Sequence, residues 1–188
     1  MKNLILVDFD NTLYKKDSLI EFTKFYKGNL KFYVGVFILL PFIILMKLGI
    51  MSNQSTKEKF ITYFFKNEDY DIFKQKGNHF ANTKIQKNIN LTLLEKLKLF
   101  NTQKGIIYIV TASCNEWISE WALQYNISII STNLLVIDNK ITGKILNKNC
   151  NGIEKVNRIK QTINLTDFHT IIVYGYGKGD FEMLQLEK

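Results

Sequence analysis

The residues best suited to chemistry lie in three polar segments, each of which follows a short apolar run. The segments begin at Asp8, Thr111 and Gly175, and the apolar runs before them cover residues 4–7, 106–110 and 170–174. Such runs, ending abruptly in polar residues, indicate buried strands that open into loops. Asp8 and Asp10 are one residue apart after the first strand. Because side chains alternate along an extended chain, one carboxylate can attack a substrate while the other approaches from another direction.

The elements that position these segments alternate between strand and helix patterns. A weaker strand at 128–131 follows a helical stretch over 115–125, and further helical patterns cover 92–100 and 152–163. This alternation predicts an α/β fold with a parallel sheet covered on both faces. Since the carboxyl ends of parallel strands share one edge, we expect the three polar segments to meet there. Residues 134–145 predict a small β-hairpin appended to the sheet.

Residues 17–85 have a helical pattern without strands, which predicts an all-helical insertion. Within it, residues 32–46 form an uncharged run bounded by a lysine on each side. As a helix this run spans about 22 Å, less than the roughly 30 Å of a bilayer core, and Pro41 is expected to kink or break it. A clean transmembrane span is therefore disfavoured. Two interpretations stay open: a buried helix of the insertion, or peripheral membrane contact through residues 32–51.

The composition excludes several classes of protein. The chain has 188 residues and a formal net charge of +8, which suits one compact domain with an elaboration. Since Arg158 is the single arginine among 25 cationic residues, we expect no nucleic-acid partner, whereas an anionic small substrate or an anionic membrane surface suits the charge. Cys114 and Cys150 have no metal-ligand spacing, and residues 1–7 lack a secretory signal. The chain is therefore expected in the cytoplasm or at the cytoplasmic face of the membrane.

The motifs together resemble the haloacid dehalogenase (HAD) superfamily, and within it the phosphoserine-phosphatase-like branch, subfamily IB. The four motifs are present as Asp8-Phe9-Asp10-Asn11-Thr12, Thr111 in I-V-T-A-S, Lys155 in N-G-I-E-K-V, and Y-G-Y-G-K-G-D-F-E-M-L over residues 174–184. The resemblance implies a three-layer α/β/α Rossmann-like core with a parallel sheet, formed by residues 1–16 and 86–188. It also implies an inserted all-α cap of the C1 type over residues 17–85.

The resemblance further implies a Mg²⁺-dependent phosphomonoesterase. Asp8 would form an aspartyl-phosphate, and Asp10 would act first as general acid and then as general base. The implied phosphate-binding residues are Thr111, Ala112 and Lys155, and the implied Mg²⁺ ligands are Asp8, Asp10 through its backbone carbonyl, and Asp180. The substrate would be a phosphorylated small molecule or a lipid phosphate, since some members of the branch are similar phosphatases of phosphatidylglycerophosphate.

The fourth motif departs from the family pattern at Tyr176, where an Asp or Asn usually reaches the metal. A neutral phenol is a poor Mg²⁺ ligand. Either Asp180 takes over, directly or through water, or metal affinity and turnover suffer. Two functions stay open: a phosphomonoester hydrolase, or a catalytically weakened HAD-like module that associates with a membrane or binds a ligand.

Other polar and aromatic residues have plainer interpretations. The Asp17-Ser18 pair is expected to cap the first helix of the insertion. Lys57 is expected on a solvated helix face rather than at a substrate. Trp117, Trp121 and Tyr125 recur at intervals of four, which predicts core packing.

Overall fold

The fold, seen in a computed structural model that describes residues 2–188, is built on one five-stranded sheet. Its strands are β1 (Lys2–Val7), β2 (Ile106–Cys114), β3 (Ser128–Ile137), β4 (Lys140–Leu146) and β5 (Phe168–Tyr174), in the spatial order β4-β3-β2-β1-β5. The pairs β1–β2, β1–β5 and β2–β3 are parallel, and β3–β4 is antiparallel. The predicted α/β fold with a mostly parallel sheet is confirmed.

The central strand β1 shows why an uninterrupted apolar run forms this sheet. Leu4 and Leu6 pack into the hydrophobic cluster on one face, while Ile5 and Val7 pack into the cluster on the other face. A strand buried on both sides needs apolar residues at every position. Val7 is in register with residues of both β2 and β5, so the chain leaves the sheet between the ends of two neighbouring strands.

Eight α-helices surround the sheet in the described part of the chain. They are α1 (Ser18–Lys27), α2 (Asn29–Lys47), α3 (Asn53–Phe65), α4 (Tyr70–Phe80), α5 (Leu91–Thr102), α6 (Ser119–Leu123), α7 (Ile153–Thr162) and α8 (Phe181–Leu184). Helices α1–α4 all fall within residues 17–85, between β1 and β2. The boundaries of a separate cap domain stay a prediction.

The predicted hairpin is present, but it is not separate from the preceding strand. The stretches at 128–131 and 134–137 form one continuous strand, β3, which pairs first with β2 and then with β4. Asp138 and Asn139 make the turn with positive φ angles of 48° and 57°, as a tight hairpin requires. Local periodicity missed the continuity because β3 changes neighbours along its length.

Helix α2 is neither broken at Pro41 nor buried as a whole. It continues through Pro41 as one helix of 19 residues. Pro41 is exposed, on the side of the helix away from the packed residues. The buried-helix interpretation is wrong, because only Phe32, Gly35 and Leu39 are buried. Among the described residues, α2 is the one helix long and apolar enough to cross a membrane, which by itself is weak evidence for a span.

The helical insertion and the sheet share one hydrophobic cluster. Phe22 of α1 stacks on Trp117, which follows β2, with ring centroids 4.9 Å apart. Phe73 and Phe80 of α4 meet Phe22 edge-on. Trp117 and Trp121 are buried, as their spacing predicts. Aromatic packing therefore holds α1 and α4 against the edge of the sheet where the polar segments lie.

Candidate active site

A cavity of about 640 Å³ opens at the carboxyl ends of the parallel strands. Its wall includes all six residues that the sequence singled out for catalysis, phosphate binding or metal binding: Asp8, Asp10, Thr111, Ala112, Lys155 and Asp180. Parallel pairing brings the ends of β1, β2 and β5 together, and α7 supplies the lysine. The tertiary structure therefore collects the four motifs at one place, while the role of each residue stays a prediction.

Lys155 is the centre of a buried ionic cluster. Its Nζ lies 2.6 Å from Oδ1 of Asp8, 2.6 Å from Oδ1 of Asp180 and 2.7 Å from the carbonyl oxygen of Val110. Lys155 is 1% exposed, and both carboxylates are buried. An ammonium has three donors, so these three acceptors satisfy it completely. Although burial alone would lower the pKa of Lys155, Asp8 and Asp180 raise it, so the ammonium is charged.

Asp8 lies immediately beyond β1 and faces the cavity. Its backbone N–H donates to the carbonyl of Tyr174, and its Oδ2 accepts a hydrogen bond from the Thr12 hydroxyl at 3.1 Å. Burial raises the pKa of Asp8 above its ordinary value, against the opposing effect of Lys155 and with a further increase from Asp180. The two carboxylates thus share one ammonium, and the site carries an excess of negative charge.

Asp10 is held by a hydrogen-bond network whose members are far apart in the sequence. Its Oδ1 accepts from the backbone N–H of Ser18 at 2.8 Å, and its Oδ2 accepts from the Ser113 hydroxyl. The two serine hydroxyls lie 2.7 Å apart, and the indole N–H of Trp117 donates to Ser18 Oγ at 2.9 Å. Burial, with Asp17 nearby, raises the pKa of Asp10 to about 7. At neutral pH this carboxyl therefore exists in both protonation states.

Ser18 and Asp17 do more than the predicted helix capping. Asp17 caps α1 as expected, since its Oδ1 accepts from the N–H of Ile20 at 3.0 Å. Ser18 also anchors Asp10, and the cap therefore fixes the start of α1 beside a candidate catalytic carboxylate. The polar residues in the last part of β2 were a usable signal for Ser113, but the contact to Ser18 spans 95 positions of the sequence.

Asp180 takes its place in the cavity wall through the backbone of the fourth motif. Its Oδ2 accepts from the backbone N–H groups of Tyr176 and Gly177, at 3.1 and 2.8 Å. The Tyr176 side chain is 86% exposed. Tyr176 therefore contributes its amide to the orientation of Asp180, while its phenol extends into solvent.

The cavity supplies only a few oxygen ligands, and their number and type fit Mg²⁺. In residues 2–188 no group of three or more His, Cys, Asp or Glu side chains could hold a metal ion. Mg²⁺, however, keeps several waters and is commonly bound by one or two carboxylates together with substrate phosphate. Asp8 and Asp180 supply two such carboxylates around one ammonium. Because the cavity wall has four carboxylates against two lysines, an anionic phosphate also needs an added cation there.

Lys57 of α3 reaches this region, which contradicts the prediction of a solvated helix face. Its Nζ donates to the carbonyl of Ala112 and, at 3.1 Å, to Oδ1 of Asn149. Packing of α3 against β4, including a hydrogen bond from Thr62 to the Gly143 carbonyl, turns Lys57 toward the end of β2. The helix pattern alone cannot reveal this contact, because its partners lie at least 55 positions away.

The family model for haloacid dehalogenase-like hydrolases matches residues 5–185, nearly the whole chain. No curated protein matches the sequence at a significant level.

Solved structures resemble the fold over most of its length. A Bordetella pertussis protein of unknown function has a TM-score of 0.76 and 16% identity, covering 92% of this chain and 81% of its own. A phosphoserine phosphohydrolase-like protein from Francisella tularensis has a TM-score of 0.70 and 20% identity, covering 98% and 82%. A structure described as the phospho-aspartyl intermediate analogue of phosphoserine phosphatase has a TM-score of 0.58 and 18% identity, covering 99% and 83%. At these identities the likeness shows the shared fold.

Proposed function

The chain belongs to the haloacid dehalogenase-like hydrolase family, and from that premise we propose that it hydrolyses a phosphomonoester through an aspartyl-phosphate intermediate. The observation that carries the proposal is the cavity in which Asp8 and Asp10 follow the same strand and Lys155 bridges Asp8 to Asp180. The structural neighbours named for phosphoserine phosphatase, one with a phospho-aspartyl analogue, support this reaction class.

In the first step an oxygen of Asp8 attacks phosphorus and the bond from phosphorus to the leaving oxygen breaks. Asp10, whose pKa of about 7 keeps part of it protonated at neutral pH, gives its proton to that oxygen. In the second step the ionised Asp10 takes a proton from water as the water oxygen attacks phosphorus. The bond between phosphorus and the Asp8 oxygen breaks, which regenerates the Asp8 carboxylate and releases inorganic phosphate. Asp10 then holds a proton for the next cycle.

The buried Lys155 ammonium can neutralise negative charge at Asp8 both before and after the residue is phosphorylated. When Asp8 is phosphorylated, its own negative charge is replaced by that of the phosphoryl group, and the Lys155 ammonium stays within reach of it. Thr111 and the Ala112 amide, at the end of β2, are proposed to bind phosphoryl oxygens. The hydrogen bond from the Ser113 N–H to Thr111 Oγ1 at 3.0 Å fixes the Thr111 side chain for that role.

Asp8, the main-chain carbonyl of Asp10 and Asp180 are the residues that would hold Mg²⁺. When bound, the ion would neutralise phosphate charge and polarise phosphorus for attack. Asp180 is orientated by two backbone amides, so it can act directly or through a water molecule.

The substrate is proposed to be a phosphorylated small molecule or a lipid phosphate, encountered in the cytoplasm or at the cytoplasmic face of the membrane. Tyr176 supports a second candidate, a weakened family member that binds a ligand without efficient turnover, since its exposed phenol leaves the usual metal-reaching position without a ligand.

The test is release of phosphate from p-nitrophenyl phosphate and from a panel of metabolite phosphates and phosphatidylglycerophosphate in detergent. Asp8→Asn is the blank, and EDTA removes divalent cations. We expect turnover that needs Mg²⁺ and falls by at least about 10³-fold in Asp8→Asn. Activity equal to that of the blank on every compound would favour the weakened module.

A further inference from the structure

Helix α2 presents a continuous apolar stripe to solvent. The stripe consists of Leu30, Tyr33, Val34, Phe37, Ile38 and Ile44 of α2 and of Leu48, the residue that follows the helix, all exposed. These positions are mostly three or four apart, so they share one side of the helix over about 27 Å. Leu30 is 80% exposed and Phe37 77%. A contiguous exposed apolar surface of this kind is typical of an interaction site.

The opposite side of α2 is packed against the protein. Phe32 stacks on Phe64 of α3 with ring centroids 6.1 Å apart, and Leu39 is buried. Gly35 faces the rings of Tyr63 and Phe64, and a side chain at this position would displace those rings. Lipid cannot surround a helix that keeps these contacts. The packing therefore favours a helix that lies on a membrane over one that crosses it.

The unpaired charges at the two ends of the stripe are positive. Residues 22–57 contain five lysines and neither Asp nor Glu, although Lys24 and Lys27 pair with Glu21 and Glu68. Lys31 and Lys47, near the two ends of α2, are exposed and form no salt bridge within the described part of the chain. An anionic lipid surface attracts such lysines electrostatically. A second copy of this chain would bring the same positive charges together, so the charge favours the lipid.

A groove of about 390 Å³ joins α2 to the candidate active site. Phe32, Val36, Ile43 and Met46 of α2 line one part of it, and Asp10 and Ala112 line another. Lys57, which donates to the Ala112 carbonyl, lies in the same wall. The groove and the active-site cavity share Asp10 and Ala112 in their walls. One molecule can therefore place its phosphate at Asp8 and its apolar part under α2.

We propose that the apolar stripe docks on an anionic lipid surface, and that the groove takes the apolar part of an amphiphilic phosphomonoester drawn from that surface. The substrate half rests on the proposed function, whereas docking on lipid does not.

Docking is tested by sedimentation of the full chain with vesicles of phosphatidylcholine, with or without phosphatidylglycerol. The stripe variant carries Leu30→Asn, Phe37→Asn and Leu48→Asn. Its matched control carries Leu91→Asn, Leu99→Asn and Leu123→Asn, three leucines of similar exposure outside α2. We expect binding that requires phosphatidylglycerol, is weakened at least about tenfold in the stripe variant and is unchanged in the control.

The substrate half is tested with phosphatidic acid in the same vesicles and with soluble p-nitrophenyl phosphate. The stripe variant should lose phosphatidic acid hydrolysis in parallel with vesicle binding and keep p-nitrophenyl phosphate hydrolysis. Met46→Gln, in the groove, should keep vesicle binding and lose several-fold in phosphatidic acid hydrolysis alone.

The outcomes separate the two proposals. Vesicle binding that is absent, or equal in the stripe and control variants, overturns docking. Docking is also overturned if light scattering shows a dimer of the unmodified chain and of the control variant but not of the stripe variant. That result would assign the stripe to a second copy of the chain. Equal phosphatidic acid hydrolysis by the Met46→Gln variant and the unmodified chain overturns the groove assignment. Vesicle binding without hydrolysis of any compound overturns the proposed function and the substrate half, while docking stands.

Discussion

The candidate active site, at the edge of the sheet formed by the carboxyl ends of the strands, and helix α2 both depart from ordinary protein packing. The site buries charge, and α2 exposes apolar side chains. The edge buries the Lys155 ammonium, which is 1% exposed, and α2 exposes the Phe37 ring, which is 77% exposed. Buried charge is unfavourable without partners, and exposed apolar surface is unfavourable in water. At the edge, Asp8, Asp180 and the Val110 carbonyl satisfy the lysine within the chain. At α2 nothing in the described chain covers the stripe. The buried charge therefore has its partners within the chain, whereas the exposed apolar surface of α2 indicates an external partner.

The largest expected effect comes from breaking the buried cluster. Lys155→Met leaves Asp8 and Asp180 buried with no neutralising cation, which should cost about 3–5 kcal/mol of unfolding free energy and abolish turnover. Thermal unfolding should show a Tm lower by roughly 10 °C. Lys160→Met, which changes an exposed lysine of the same helix, is the control and should leave Tm nearly unchanged. Equal Tm values for the two variants would contradict the structure of the edge.

The two sides of α2 can be compared by one substitution made twice. Phe32→Ala removes a buried ring packed on Phe64 and should cost about 3–5 kcal/mol. Phe37→Ala removes an exposed ring of the stripe and should change stability by no more than about 0.5 kcal/mol. Urea unfolding of both variants gives the comparison. A large loss in Phe37→Ala would show that the stripe is covered within the folded chain.

Tyr176, in the wall of the candidate active site, is exposed like the aromatic residues of the stripe. Tyr176→Asp places a carboxylate where the family usually has a metal-reaching residue, so the Mg²⁺ concentration for half-maximal activity should fall about tenfold. Titration of phosphate release against Mg²⁺ measures the change, and Tyr176→Phe, which adds no oxygen ligand, is the control. An unchanged titration would mean that Asp180 is sufficient.

The smallest expected effect is on the pH dependence of stability. The pKa of Asp10 is about 7 in the folded protein, against an ordinary value near 3.8. The folded state therefore binds this proton more tightly than the unfolded state. The stability that the proton gives is fully present below about pH 3.8 and is lost progressively as pH rises from there to about 7. Asp10→Asn removes that loss. The Tm of this variant minus the Tm of the unmodified chain should therefore be larger at pH 8 than at pH 5.5, by about 3 °C or more. Asp138→Asn, at an exposed turn, should show no such pH-dependent difference.

The sequence by itself determined where strands β1, β2 and β5 lie and which reactive residues are found at their ends. The apolar run before Asp8 identified a strand buried on both faces, and the motifs identified Lys155 and Asp180 as residues of the same site. These features depend on short stretches of chain, because apolar runs and their polar ends are local properties. The parallel sheet then brings their ends to one edge.

Only the tertiary structure decided which surfaces are covered and which distant polar groups meet. The exposure of α2, the reach of Lys57 to Ala112 and the network from Asp10 through Ser113 to Ser18 are all fixed by packing between segments far apart in sequence. The composition of α2 is apolar on every side, so its sequence contains no signal that separates the packed side from the exposed one. That distinction arises because α3 covers one side of α2 and leaves the other open.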